Sequence, residues 1–504
     1  MNVVGDFLTR SVAQYADKVA LVDGDLTFTY RELDSLVRKV AAGIRSLGIE
    51  PGDRISYHGN NRWELVVTLL ASIRAGTVLV PLNVMLRPAE LVPILAESKI
   101  RLVLTTSEGE GTLAELKESA LFPEWVSSYD DTHGLFATWI RAGEAEGDPV
   151  TRAPTDIVAL FFTSGTTGQP KGAPLDHIFI DHLAHSWVMA CRYTHHEIFL
   201  VATPMFWVVA PIHVILPIVL VGGTIVLMRR FDPERCCKLL KQWKVTSFFG
   251  VPTMYTLLLD SQGSALPELK SLRVCSVAGA PIARDVVERF EKLTGAPLLN
   301  IYGATEAGGI SRDLLGVPRR AGSAGPWGGT VEAKIVDAEG NPVPAGVPGE
   351  IVARGLTVIR GYWKGGKVDY QSLPDGWFQT GDIGVVEDGF VRILDRAKDM
   401  IITGGANIYP AEVEAVLAKH SKVSLAAVVG VPDRVKGEIA VAYVISKQPG
   451  PPTAEELEAH CRDHLSSYKV PKKFLVVQSL PMTPTGKIQK RELRRMAADG
   501  FGAG

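Results

Sequence analysis

The densest concentration of phosphate chemistry in the sequence is Thr163-Ser164-Gly165-Thr166-Thr167-Gly168-Gln169-Pro170-Lys171-Gly172. Glycines let backbone N–H groups close on a phosphate, hydroxyls donate further hydrogen bonds, and a lysine supplies positive charge. The segment follows the strand-like run Ile157 to Phe162. No G-x-x-x-x-G-K-[ST] can be fitted to it, so it is not the ordinary nucleotide P-loop. A Gly/Ser/Thr run by itself reads as a surface loop. Four hydroxyls followed by Pro-Lys-Gly, directly after a buried strand, read as a cradle for phosphate oxygens.

Such a cradle needs rigid elements behind it. Arg31 to Leu47 places Leu33, Leu36, Val37, Val40, Ala41 and Ile44 on one helical stripe, with Gly48 as a natural stop. Asn61 to Arg74 repeats the device and ends at Gly76, before the apolar run Thr77 to Val80. Short β-branched runs recur at Arg101 to Thr105, Ile157 to Thr163, Thr224 to Leu227, Thr246 to Phe249 and Arg273 to Val277. This alternation predicts α/β layers with partly parallel sheets. After about Gly316 the texture changes: Gly and Pro become dense, and strands are predicted at Glu332 to Val336, Glu350 to Arg354, Val385 to Val386 and Val391 to Leu394. That reads as a smaller β-rich subdomain. Beyond Asp399 the helix and strand pattern returns, with helices over Pro410 to His420 and Ala454 to Leu465 and strands over Leu425 to Val429 and Ala440 to Ile445. The last hundred or so residues predict a small α+β domain. No internal repeat or low-complexity linker interrupts the chain.

The decapeptide resembles the phosphate loop of the adenylate-forming superfamily, which includes acyl- and aryl-CoA synthetases, firefly luciferase and peptide-synthetase adenylation domains. The resemblance runs over essentially the whole chain, because further motifs follow in the family's order. Ala278-Gly279-Ala280-Pro281 is similar to its adenine-side loop, and Tyr302-Gly303-Ala304-Thr305-Glu306 to its Tyr-Gly-x-Thr-Glu motif. Gly349-Glu350, Arg354-Gly355 and Gly361-Tyr362 resemble the subdomain that follows. Trp377 to Asp382 resembles the ribose-binding segment, Asp395 to Asp399 the hinge, Gly404 to Pro410 the glycine turn beyond it, and Pro481 to Lys487 the loop of the catalytic lysine. Any one of these is weak; eight in order are specific.

The resemblance implies a domain arrangement: a large AMP-binding domain over 1–394, a hinge at 395–398, and a small mobile C-terminal domain over 399–504. It also implies the activation of a carboxylic acid by ATP as acyl-AMP, with release of pyrophosphate, followed by transfer of the acyl group to CoA. On that reading Thr166 and Glu306 help hold Mg²⁺, a hard ion that prefers oxygen ligands. Thr163, Ser164 and Lys171 cradle the outer phosphates, with Gly165, Thr167 and Gly168 shaping the loop. Tyr302 lies against adenine beside Gly279, Ala280, Gly303 and Thr305. Asp382 accepts the ribose hydroxyls, with Arg396 assisting, and Lys487 bridges the acid's carboxylate and the α-phosphate. Lys398 occupies the pivot, and Gly404 and Gly405 line the tunnel for the thiol. The acid's pocket is expected between Trp207, Val208, Val209, Phe249, Ala278 to Ala280, and the segment from Gly303 through Gly308 to Ile310. These residues are apolar, with no Arg or Lys for a second carboxylate and with Gly308 and Gly309 making room, which predicts a fatty or aryl acid of medium or greater length. Trp207 stands where the family has histidine. Lys490 stands where the family has arginine, a change expected to matter little.

Composition narrows the alternatives. The chain has 504 residues, 46% hydrophobic and 21% charged, enough for two to four domains with a large core. Lys plus Arg is 53 and Asp plus Glu 55, a net charge of −2, without the basic excess of a nucleic-acid binder. The five cysteines form no CxxC pair and read as buried thiols. Met1 to Gln14 lacks the apolar stretch of an export signal. Val208 to Met228 is apolar, but Pro211, His213, Pro217 and Gly222-Gly223 interrupt it, so it reads as a buried helix leading into a strand and not as a membrane span. A cytoplasmic enzyme is expected, and the sequence leaves a homo-oligomer open. Two other functions fit the same motifs: an acyl-AMP ligase that loads a carrier protein, and a non-catalytic AMP or acyl sensor. Retention of Lys171, Glu306, Asp382, Arg396 and Lys487 together speaks against the sensor.

Overall fold

Periodicity dictates the first helices. Residues Tyr30–Ser46 form a helix whose start is a capping box: the Thr29 hydroxyl accepts from the Glu32 N–H while the Glu32 carboxylate accepts from the Thr29 N–H. Leu33, Val37, Val40, Ala41 and Ile44 are buried along its stripe. Trp63–Ala75 follows and ends at Gly76, whose φ of 73° is the left-handed conformation that closes a helix. The computed structural model describes residues 4–143, 149–164, 170–262, 266–404, 406–433, 435–447, 450–482 and 488–501. They fall into two units, one of Met1–Ala333 with Ala353–Phe378, the other of Lys334–Val352 with Gln379–Gly504.

The larger unit is built on two eight-stranded sheets. In the first, Leu298–Tyr302, Val274–Val277, Ser247–Gly250, Ile198–Val201, Thr224–Leu227 and Val19–Asp23 lie side by side and parallel. Antiparallel strands Ser311–Arg312 and Leu26–Thr29 close the two edges. Helices Pro233–Gln242, Pro252–Gln262 and Arg284–Thr294 cover this sheet through a core that includes Phe248, Tyr255, Cys275, Phe290 and Leu298. In the second sheet, parallel strands Val78–Leu79, Arg54–His58, Leu102–Thr105 and Trp125–Ser128 flank Ile157–Ser164. That strand turns back as the antiparallel strand Pro170–Asp176. The apolar stretch after Trp207 is a π-helical turn, Val209–Ile215, continuing as helix Leu216–Val221 and strand Thr224–Leu227. Among the described residues no helix is long and apolar enough to cross a membrane.

A buried carboxylate ties the lower ends of the parallel strands together. Glu197 accepts hydrogen bonds from the Thr246 and Ser247 hydroxyls, each at 2.6 Å, and pairs with Arg273. Its charge is out of water, whereas Arg273 is about one-third exposed. Glu197→Ala should therefore cost on the order of 2 kcal/mol, below the cost of breaking a fully buried pair. It should lower the midpoint of thermal unfolding by several degrees, which calorimetry of the purified protein would measure.

The smaller unit holds most of a four-stranded sheet in the order Val331–Val336, Gly349–Gly355, Phe378–Glu387, Phe390–Arg396. A second sheet of five strands is centred on the long hairpin Val423–Asp433 and Gly437–Ser446. Helices Pro410–Leu417 and Ala454–His464 pack on it through Val413, Leu417, Val428, Ala442 and Leu457. Asp395 joins the two parts: one of its carboxylate oxygens accepts from the Arg396 N–H and the other from the Ala411 N–H, both at 2.7 Å.

Candidate active site

The phosphate segment sits at the tip of a hairpin. Thr163 pairs with Lys171 and Ser164 with Pro170, so residues Thr163 and Lys171 stand opposite each other at its mouth. Gly165, Thr166, Thr167 and Gly168 lie outside the described residues. The Thr163 hydroxyl donates to Glu306 Oε1 at 3.0 Å, and the Tyr362 hydroxyl donates to the same oxygen at 3.2 Å. Lys171 Nζ stands 5.0 Å from the centre of the Tyr362 ring. Burial and the adjacent Glu306 charge both push the Tyr362 phenol well above its usual range, so it stays protonated as a donor. The resemblance carried by Gly361-Tyr362 implies no role for Tyr362. Its partnership with Glu306 spans 56 residues and leaves no trace in local spacing.

Glu306 is only 8% exposed, and among the described residues no Lys or Arg forms an ion pair with it. Its main chain is fixed by the Ile359 N–H, which donates to the Glu306 carbonyl at 2.8 Å. A tight turn, closed by Ala304 and Ala307 exchanging backbone hydrogen bonds, carries Thr305 and Glu306 at its centre. Gly303 must be glycine there, because a Cβ would fall 2.8 Å from both the Ala307 carbonyl oxygen and the Gly309 nitrogen.

Phe249, Ala278-Gly279-Ala280 and Tyr302-Gly303 lie at the C-terminal ends of three adjacent parallel strands, since Gly250 pairs with Val277 and Val277 with Asn300. That edge is where open α/β sheets bind ligands. Gly279 adopts a φ of 89°, and Gly279 and Ala280 are exposed. Tyr302 is half-buried.

The expected acid pocket differs from its sequence reading. Trp207 and Val209 are half-buried, with Trp207 edge-on to Phe206 at 5.9 Å; Val208, Phe249 and Ile310 are buried. The room left by the glycines is filled by the chain's own side chains. A Cβ on Gly308 would lie 2.9 Å from Leu183, and one on Gly309 only 1.8 Å from Arg312 Nη2. Arg312, buried in a two-residue strand, therefore brings a cation to the wall that the sequence reads as free of Arg and Lys. Beside it are Trp187, with its ring centre 6.0 Å from the guanidinium, and His213, whose Nδ1 accepts from Trp187 Nε1 at 3.3 Å. Neither residue was expected. His213 alone leaves a signal, as a polar side chain inside the apolar run Val208 to Met228.

In the smaller unit Asp382 and Arg396 face each other across an antiparallel pair, with Arg396 Nε 2.8 Å from Asp382 Oδ1. The Thr380 hydroxyl accepts from the Asp382 N–H at 3.0 Å. Lys398 is exposed in the short turn Ala397–Asp399, and its carbonyl accepts from Arg494 at 3.2 Å. Gly404 is exposed with a φ of 56°, and nothing lies within 4 Å of its missing Cβ. Gly405 and Lys487 lie outside the described residues. Lys490 is not interchangeable surface charge: its ammonium pairs at 2.9 Å with Glu414, whose carboxylate also accepts from the Val428 N–H at 2.7 Å.

Comparison with known proteins gives a consistent result. A family model described as AMP-binding enzyme matches residues 8–363, and one described as AMP-binding enzyme C-terminal domain matches 412–487. The chain is 37% identical over 495 residues to a feruloyl-CoA synthase of an Amycolatopsis species, covering 98% of each. It is 32% identical to a long-chain-fatty-acid–CoA ligase of Escherichia coli O6:H1, covering 97% of this chain and 93% of that one. Its fold superposes on ATP-bound MatB from Rhodopseudomonas palustris with a TM-score of 0.92 at 28% identity, covering 99% of both chains.

Proposed function

The chain belongs to the AMP-binding enzyme family and is an acid:CoA ligase that uses ATP and CoA, and on that premise we propose that it activates an aryl or fatty acid through the residues gathered around Glu306. The observation that carries the proposal is the buried Glu306 carboxylate, held by the Thr163 and Tyr362 hydroxyls at the mouth of the phosphate hairpin. The acid's carboxylate oxygen attacks the α-phosphorus of ATP, the bond to the bridging oxygen breaks, and pyrophosphate leaves. The thiolate of CoA then attacks the acyl carbon, and AMP departs with the former carboxylate oxygen. Both steps crowd negative charge, so the protein's task is positioning and neutralisation.

Glu306, Thr166 and the outer phosphates would hold Mg²⁺. Glu306 fits a hard ion, being a buried oxygen ligand that no Lys or Arg neutralises among the described residues. When bound, the ion neutralises phosphate charge. Thr163, Ser164 and Lys171 hold the outer phosphates, while Gly165, Thr167 and Gly168 let the loop close on them. Tyr302 faces adenine, flanked by Gly279, Ala280, Gly303 and Thr305. Asp382, oriented by Arg396, accepts the ribose hydroxyls. Lys487 meets the acid's carboxylate and the α-phosphate. Residues 1–394 form the large domain and 399–504 the small one, turning at Lys398 to bring Gly404 and Gly405 to the incoming thiol. Five buried free cysteines suit a reducing cytoplasm.

AMP release measured across acids from acetate to long-chain fatty acids, benzoates and cinnamates, with and without CoA, tests the proposal. Turnover that needs both CoA and an aryl or fatty acid supports it. Pyrophosphate exchange without CoA turnover would replace CoA by a carrier protein. The ribose contact has its own test: Asp382→Asn is expected to raise the KM for ATP about 10- to 100-fold, as loss of a charge-assisted hydrogen bond does. The same variant should be hurt much less with 2′,3′-dideoxy-ATP. An equal effect with both nucleotides would remove Asp382 from the ribose.

A further inference from the structure

Arg312 is 3% exposed and forms no ion pair among the described residues. Its Nε and Nη1 have no hydrogen-bond partner, and neither has Nε2 of the buried His213. Nη2 alone reaches a carbonyl, that of Gly309, at a long 3.4 Å. Burying a guanidinium without an acceptor is costly, and native proteins keep such groups only where something completes them. The three atoms share one chemistry. Arginine nitrogens can only donate. His213 Nδ1 already accepts from Trp187, which assigns its hydrogen to Nε2, and burial together with the Arg312 charge drives its pKa down to about 3, so the ring is neutral and Nε2 is a donor. Nothing in the cluster accepts.

The position of the cluster says what completes it. The guanidinium lies over Gly309, between the pocket residues Gly308 and Ile310, and Trp187 packs edge-on to Phe249 at 6.3 Å. Glu306, which marks the reacting end, belongs to the same turn-bearing segment but faces Thr163 and Tyr362 instead. The cluster is thus set apart from the phosphate hairpin and packed against residues expected to line the acid's pocket.

We infer that Arg312 and His213 form a polar subsite for the far end of the acid, and that the preferred substrate carries a hydrogen-bond-accepting oxygen there, as a ring hydroxyl, a ketone or a second carboxylate. This rests on the acid:CoA ligase reading and narrows it, replacing the wholly apolar acid that the sequence predicts. A partnered donor rejects an analogue lacking its acceptor far more strongly than an apolar wall rejects a change of size.

The test uses the full-length enzyme and three matched pairs of acids: 4-hydroxycinnamate with cinnamate, 7-oxooctanoate with octanoate, and suberate with octanoate. The oxygen-bearing member of at least one pair should show a kcat/KM about 10- to 100-fold higher, carried mainly in KM, and which pair responds identifies the oxygen. In Arg312→Met, which keeps the stem and removes the donors, that ratio should collapse toward one, with Arg312→Lys intermediate. No preference in any pair by the unaltered enzyme overturns the inference even if no variant folds. An equal loss on both members in Arg312→Met also overturns it, because a packing role would act alike on both. Absence of turnover with every acid, oxygen-bearing or not, overturns the ligase reading beneath it.

Discussion

Glu306→Gln is expected to lower acid-dependent AMP formation about 10³-fold while leaving the fold intact. The amide is the same size and keeps an acceptor oxygen for the Thr163 and Tyr362 hydroxyls, which now converge on one carboxylate oxygen. What it loses is the negative charge. In a site this buried, one misplaced electrostatic partner costs about 10²–10³ in rate, because burial leaves little solvent screening to replace it. The loss should appear in kcat at saturating ATP and should be partly offset by raising Mg²⁺, whereas the thermal midpoint should stay within a few degrees of the parent. Initial rates over a magnesium titration give both readings. A loss below about tenfold would mean that Glu306 holds the hairpin in shape and takes no part in charge neutralisation.

Lys487→Ala should split the reaction in two. Adenylation needs a cation that meets the incoming carboxylate and the α-phosphate together, and its loss should cost about 10³-fold or more. Thioester formation begins from an adenylate already made and needs access for the thiol, so turnover of supplied acyl-AMP with CoA should remain within a few-fold of the parent. The two half-reactions are followed separately, by pyrophosphate exchange and by thioester formation from the synthetic adenylate. Equal losses in both would show that Lys487 acts before the pathways divide, in ATP binding or in folding.

Where the chain repeats a strong period, its structure was legible. The helix predicted over Arg31 to Leu47 is Tyr30–Ser46, and the run Thr224 to Leu227 is a strand with those bounds. The strand Pro170–Asp176 was not legible, because Pro-Lys-Gly-Ala-Pro carries the residues of a loop and becomes a strand only through pairing with Ile157–Ser164. The site divides in the same way. Motif order singles out Thr163, Lys171, Glu306, Asp382 and Arg396 as candidates, and the structure brings Thr163, Lys171 and Glu306 to one place and Asp382 and Arg396 to another. Tyr362, His213 and Arg312 were missed because their meaning depends on burial and on partners distant in sequence. Arg312 shows this most clearly: a charged residue two positions beyond an apolar segment reads as a surface residue until a strand of two residues carries it inside.

The register at the mouth of the phosphate hairpin separates two properties that a loop usually couples. Thr163 and Lys171 are fixed opposite each other by the sheet, and Glu306 is fixed to Thr163, so none of the three takes its position from the residues at the tip. Substitutions between Ser164 and Pro170 should therefore act on phosphate and Mg²⁺ binding, the roles proposed for Thr166 and its neighbours, while the register of Thr163, Lys171 and Glu306 stays as it is.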